Sequence, residues 1–163
     1  MTYVDSDNTI SDFIGWALTK DPQALDSPDD NNHWERVSKV LVNFYKEAFL
    51  ESKLCSYGDF FLEQIKNNDD WMVLTSLSAR DRIEKYCKNI SVDKILDTHK
   101  ENKYLWFEKH RISRNKIIIC DNLLDKVKYC KPGDLLFDDN WNVIKAWRQS
   151  GGKTIRVGTP YDC

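Results

Sequence analysis

Tyr3-Val4-Asp5-Ser6-Asp7-Asn8-Thr9, at the start of the chain, and Leu135-Leu136-Phe137-Asp138-Asp139, near its end, decide the reading of the sequence. Each is a short apolar run that closes on a pair of aspartates. A third run between them, Trp71-Met72-Val73-Leu74, closes on Thr75-Ser76. Parallel strands that end in acids and hydroxyls gather those groups at the carboxyl edge of a sheet, where open α/β folds bind ligands. Four carboxylates drawn to one point repel each other unless a cation sits among them. A set of ligands made only of oxygen suits Mg²⁺.

Working outward from these runs, hydrophobic periodicity and chain breakers predict the remaining elements. Strands are expected at about 2–5, 71–75, 116–120, 134–138 and 153–157. The fully β-branched Ile117-Ile118-Ile119 suits a strand buried on both faces. Helices are expected at 58–67, from Ala79 with Ser78 as its cap, from Lys103 to His110, from Asp121-Asn122 to Tyr129, and from Asn140 to Gln149. Gly151-Gly152 then supplies a positive-φ exit. From about 9 to 56 the pattern is helical, with Phe13, Trp16 and Ala17 followed by Trp34, Val37, Val40, Leu41, Phe44, Tyr45, Ala48 and Phe49. Pro22 and Ser27-Pro28-Asp29-Asp30-Asn31-Asn32 break it with a loop. The alternation of strand and helix predicts an α/β fold with a doubly wound parallel sheet. Residues 1–13 and 58–163 form its core. The insert 14–57 is too long for a simple connection and reads as a small helical cap after the first strand.

Composition sets the class. A chain of 163 residues, 41% hydrophobic and 31% charged, is a single domain with a real core. No stretch approaches the ~20 apolar residues of a membrane span, and the N-terminus lacks a basic-then-apolar leader. The five cysteines, 55, 87, 120, 130 and 163, lack zinc spacing and read as reduced, several of them buried. A cytoplasmic protein without membrane attachment is expected. The net charge of −2 hides an asymmetry: residues 1–40 hold three basic and eight acidic residues, and residues 100–131 hold nine basic and four acidic. A basic stretch beside an acidic metal site helps draw in a phosphate. Taken one by one, Lys100, Lys103, Lys109 and Arg111 read as the solvated faces of a helix.

These residue types suit phosphoryl transfer, which needs a nucleophile, charge neutralisation, a proton donor for the leaving alcohol and hydrogen bonds to phosphate oxygens. Asp5 is placed to attack phosphorus, and Asp7 to protonate the leaving oxygen and then to activate water. Thr75 and Ser76 offer hydroxyl donors. A lysine upstream of Asp138-Asp139, among Lys126, Lys128 and Lys131, neutralises phosphate and nucleophile.

Taken together, these motifs resemble those of the haloacid dehalogenase-like (HAD) superfamily of phosphatases. Asp5-Ser6-Asp7-Asn8-Thr9 resembles its first motif, Leu74-Thr75-Ser76 its second and Asp138-Asp139 its fourth. Thr9-Ile10-Ser11-Asp12-Phe13, Gly58-Asp59-Phe60-Phe61-Leu62, Lys131-Pro132-Gly133-Asp134 and the later Ile144-Lys145-Ala146-Trp147-Arg148-Gln149-Ser150-Gly151-Gly152 are similar to 5′(3′)-deoxyribonucleotidases and related phage proteins. The resemblance implies a HAD-like (Rossmannoid) fold and a Mg²⁺-dependent aspartyl-phosphate mechanism. It implies Asp5 as nucleophile, Asp7 as acid and base, and Lys126 as the phosphate lysine. Metal coordination would come from Asp5, the Asp7 main-chain carbonyl and an aspartate of the Asp138-Asp139 pair. Asn8 and Thr9 would complete the loop around the phosphate. Asn8 stands where the family usually has glycine, and asparagine tolerates the left-handed conformation such a turn needs. Ser6 replaces an apolar residue.

The expected substrate is a nucleoside monophosphate, with a terminal phosphate on a nucleic acid strand and a non-catalytic HAD-like binding protein as the alternatives. Net negative charge weighs against extended polynucleotide binding. The motif residues have nothing shaped to read a base, so an aromatic of the insert, Trp34 or Tyr45, is expected to stack on it. A monomer or homodimer is expected.

Overall fold

A computed structural model describes residues 1–24 and 30–157 of the chain. Its centre is a five-stranded parallel sheet built from β1 (Thr2–Val4), β4 (Trp71–Ser76), β5 (Ile117–Cys120), β6 (Leu135–Asp138) and β7 (Lys153–Arg156). The order across the sheet is β5-β4-β1-β6-β7. Val4 pairs with Val73 on one side and Phe137 on the other, so β1 is central. From β1 the chain moves outward to β4 and β5, then crosses back to β6 and β7. The reversal opens a crevice at the carboxyl ends of β1 and β6, the switch point where such sheets bind ligands.

Strand alternation sends side chains to two faces, and both are covered. Val4, Val73 and Ile117 pack against α3 (Gly58–Asn67) through Phe61, Leu62 and Ile65, and against α5 (Val92–Lys109) through Trp106 and Phe107. Tyr3, Leu74 and Leu136 face the other way, onto Val143 and Trp147 of α6 (Trp141–Gln149). Each large side chain so buried contributes about 1.5–3 kcal/mol. The doubly wound sheet expected from the sequence is thus the sheet observed.

The segment after β1 is not helical throughout. Ser11–Asp12 (β2) and Lys53–Leu54 (β3) pair as an antiparallel ribbon at the root of the insert. Between them lie α1 (Phe13–Lys20) and α2 (Asp30–Asn43). The expected loop is correspondingly shorter, because Asp30, Asn31 and Asn32 already belong to α2; residues 25–29 lie outside the described residues. The helical pattern through Phe49 also breaks early. After Asn43 the chain runs in turns to Glu51. The Asn102 side-chain amide there donates to the carbonyls of Tyr45, Lys46 and Ala48, which a continuing helix would have used itself. The insert shares its core with helices outside it: Phe13, Trp16, Val37, Leu41 and Ala48 pack with Ile83 of α4 (Arg80–Glu84) and with Ile95 and Leu96 of α5.

Three further elements differ from expectation. Ala79 occupies the cap position of α4, and Ser78 makes no capping bond there. The helix expected from Lys103 is the second half of α5, which starts eleven residues earlier behind a Ser91 cap that accepts from the Lys94 N–H. Residues Leu123–Tyr129 form a 3₁₀ helix. Among the described residues no helix is long and apolar enough to cross a membrane. Cys87, Cys120 and Cys130 are free thiols, and burial pushes the Cys120 thiol up to about 11; Cys163 lies outside the described residues.

Candidate active site

The end of β1 turns sharply. The Ser6 carbonyl accepts the N–H groups of Thr9, Ile10 and Ser11, which folds the chain back within five residues. Asn8 stands at φ 61°, the left-handed conformation expected of it, and its Oδ1 accepts the Ile14 N–H at 3.1 Å. Asp5 and Asp7 are thereby set on one side of the turn, both lining a cavity of about 320 Å³ above the crevice.

Lys126 enters from the 3₁₀ helix. Its Nζ lies 2.7 Å from Asp5 Oδ1 and 2.8 Å from Asp138 Oδ2, with the side chain 1% exposed. Lys128 pairs instead with Asp125 at the surface, and Lys131 is exposed, so Lys126 alone of these three lysines meets the carboxylates. Burial by itself would depress the Lys126 ammonium, but the charges of Asp5 and Asp138 outweigh it and raise its pKa.

The second aspartate pair divides its work. Asp138 is fully buried, with one oxygen on Lys126 and the other accepting the Asn140 N–H at 2.8 Å. Asp139 lines the cavity and has no hydrogen bond or ion pair among the described residues. Burial, and then the negative charges of Asp5 and Asp138, push its carboxyl up to about 8; burial raises Asp138 to about 6 against the pull of Lys126. One oxygen from each of Asp5, Asp138 and Asp139 lies within 4.8 Å of the others. This all-oxygen donor set, crowded and short of positive charge, fits a hard divalent cation such as Mg²⁺.

The motif-two residues part company. Ser76 lines the cavity, whereas Thr75 is 1% exposed with its hydroxyl turned to Lys103. Thr9 is fully buried beneath the turn and does not line this cavity, so it stands away from a ligand bound there; its hydroxyl has no partner among the described residues. Ser6 is buried as well.

Of the two aromatics singled out from the insert, Trp34 lies on the cavity wall with Val37, Ser38 and Leu41 of α2, and the Arg82 guanidinium stands 5.7 Å above its ring. Tyr45 does not face the cavity. It is packed in the helical core, because the chain leaves the α2 register two residues before it. A second cavity of about 290 Å³ adjoins the first and shares Trp34, Ser38 and Arg82 with it.

Sequence reasoning missed Lys103, which it read as a solvated helix lysine. It is 1% exposed, and its Nζ donates to both Asp7 oxygens at 2.7 and 2.6 Å. Burial raises the Asp7 carboxyl, with Lys103 pulling it down and Asp5 pushing it up. A signal was present in the stripe Ile95, Leu96, His99, Asn102, Lys103, Trp106, Phe107, all buried on one face of α5. Polar residues that keep the period of a buried face are engaged by something inside.

No protein-family model and no curated protein matches the chain by sequence. Solved structures do match by fold. A haloacid dehalogenase-like family hydrolase from Streptococcus pneumoniae superposes with a TM-score of 0.52 at 13% identity, covering 99% of this chain and 87% of that one. The HAD-hydrolase YfnB from Bacillus subtilis, in a structure bound to magnesium, superposes with a TM-score of 0.50 at 12% identity over 98% and 90% of the two chains. The fold is therefore that of HAD-like hydrolases.

Proposed function

We propose that the chain is a Mg²⁺-dependent phosphatase that hydrolyses phosphate monoesters through an aspartyl-phosphate on Asp5. The observation that carries this reading is the buried Lys126 held between Asp5 and Asp138, with Asp7 and the unpartnered Asp139 on the same cavity. A structural core has no use for that many carboxylates around one opening. Asp5 attacks phosphorus, and Asp7 gives its proton to the leaving oxygen and later takes one from water. Lys126 offsets charge on Asp5 and on the phosphate, and the Ser76 hydroxyl donates to a phosphate oxygen. Asp5, Asp138 and Asp139 would hold Mg²⁺, with the Asp7 carbonyl as a further ligand. When bound, the ion neutralises charge building on the phosphoryl oxygens.

The substrate we infer is a nucleoside monophosphate. Trp34 supports this, since it lies on the wall of the cavity that Asp5, Asp7 and Asp139 also line. A second reading, a terminal phosphate on a nucleic acid strand, is favoured by the adjoining cavity past Trp34 and Arg82, which would accept a neighbouring nucleotide. Release of orthophosphate, measured with and without Mg²⁺ over mononucleotides, terminally phosphorylated oligonucleotides and p-nitrophenyl phosphate, separates them. Mononucleotide turnover that needs Mg²⁺ is expected. Trp34→Ala should lower kcat/KM for nucleotides by about 5- to 150-fold, the range of one base-stacking contact, and leave the aryl ester nearly unaffected. No release from any of these esters overturns the reading.

A further inference from the structure

Lys103 is the second buried lysine of the site, and its position differs in kind from that of Lys126. Lys126 lines the cavity, whereas Lys103 lies behind Asp7 and is not among the lining residues. Besides both Asp7 oxygens, its Nζ has the Thr75 hydroxyl at 3.2 Å and the centre of the Phe49 ring at 4.2 Å. Phe49 is at φ 72°, a conformation that costs a bulky residue of order 1–3 kcal/mol and persists only where the surroundings impose it. Its ring stacks on Phe13 and meets His99 edge-on. Neighbouring residues of α5 fix the helix to the same segment: Asn102 through the carbonyls of Tyr45, Lys46 and Ala48, and Trp106 through that of Ser52. So held, Lys103 acts on a substrate only through Asp7.

The contact is bidentate. A carboxylate accepts on both oxygens at once, while a carboxylic acid has one oxygen committed to its own proton. We propose that Lys103 is a positioning residue that holds Asp7 as the proton acceptor for the water that hydrolyses the phosphoenzyme. This rests on the phosphatase reading and assigns a residue to its second half. In that step the water oxygen bonds to phosphorus, and the bond from phosphorus to the Asp5 oxygen breaks with its electron pair returning to the Asp5 carboxylate. One water proton passes to an Asp7 oxygen, and orthophosphate leaves. In the first half the proton travels the other way, from Asp7 to the leaving oxygen. Lys103 keeps a single oxygen while the other carries the proton.

The two halves are separable with p-nitrophenyl phosphate, whose leaving group needs no acid. Its kcat/KM reports steps up to the phosphoenzyme, while kcat includes hydrolysis. Lys103→Met, which keeps the volume, should lower kcat by on the order of 100-fold and leave kcat/KM within about threefold. p-Nitrophenolate should then appear as a burst of about one equivalent per enzyme, because the phosphoenzyme accumulates. Phe49→Leu keeps both charges and loosens only the ring. It should show the same signature at smaller size, with kcat down about three- to tenfold. A parallel fall of kcat and kcat/KM without a burst, or a rise in KM alone, overturns the proposal. If Lys103→Met does not fold, a folded Phe49→Leu with wild-type kcat overturns it instead. A wild-type protein that turns over no phosphate ester removes the phosphatase reading itself, a result distinct from these.

Discussion

Lys126 stands where three aspartates would otherwise repel one another without relief. A buried ion pair contributes little net stability, but stripping one partner leaves uncompensated charge and costs about 3–5 kcal/mol. Lys126→Met should therefore lose about that much unfolding free energy in urea without Mg²⁺, and recover part of it when Mg²⁺ is added, because the cation occupies the same carboxylates. A variant as stable as the wild type without Mg²⁺ would show that the lysine does not neutralise them. Asn8 makes a smaller point at this scale. Its φ of 61° meets a need usually filled by glycine, and its side chain adds the bond to Ile14 that glycine lacks.

At the scale of the element, α5 joins the insert to Asp7 through Asn102 and Lys103, and His99 is the buried histidine of the same face. The ring is fully buried, with Nε2 3.3 Å from the Leu41 carbonyl and Nδ1 without a partner among the described residues. Burial holds its pKa down to about 4, against the carbonyl and with help from Lys103 one turn away. In the unfolded chain a histidine titrates near 6.5, so below that pH the unfolded state binds the proton first. Stability from the neutral ring is complete above about pH 6.5 and falls by on the order of 3 kcal/mol as pH drops toward 4. Urea unfolding of the wild type and of His99→Gln across this window should show the wild type losing stability faster as pH falls. Parallel curves would contradict a neutral buried ring.

The same element shows where the sequence could be read and where it could not. β1, β4, β5 and β6 were legible because each holds a short apolar run that ends near polar residues, and β5 opens with three β-branched isoleucines. Asp5, Asp7 and the Asp138-Asp139 pair were legible because strand ends converge by topology. Residue types alone left Lys126, Lys128 and Lys131 open and the resemblance selected Lys126; the 3₁₀ geometry of Leu123–Tyr129 is what carries it to Asp5. Lys103 shares its helix with Lys94, Lys100 and Lys109, and what sets it apart is its place in the buried stripe of α5. Tyr45 and Phe49 fit a helical period that the chain abandons when Asn102 takes its carbonyls.

At the scale of the whole molecule, the sheet reversal between β1 and β6 brings the first and last aspartates of the site together, while the insert and α4 wall the cavity above them. Everything proposed here converges on one covalent event, transfer of a phosphoryl group to Asp5. The direct measurement is peptide mapping by mass spectrometry of enzyme acid-quenched during turnover of a phosphate monoester, with and without Mg²⁺, for wild type and Asp5→Asn. The account predicts a phosphoryl group on the peptide containing Asp5, present only with Mg²⁺ and absent in Asp5→Asn, which should also release no orthophosphate. Steady turnover by Asp5→Asn, or a phosphoryl group on any other residue, would contradict it.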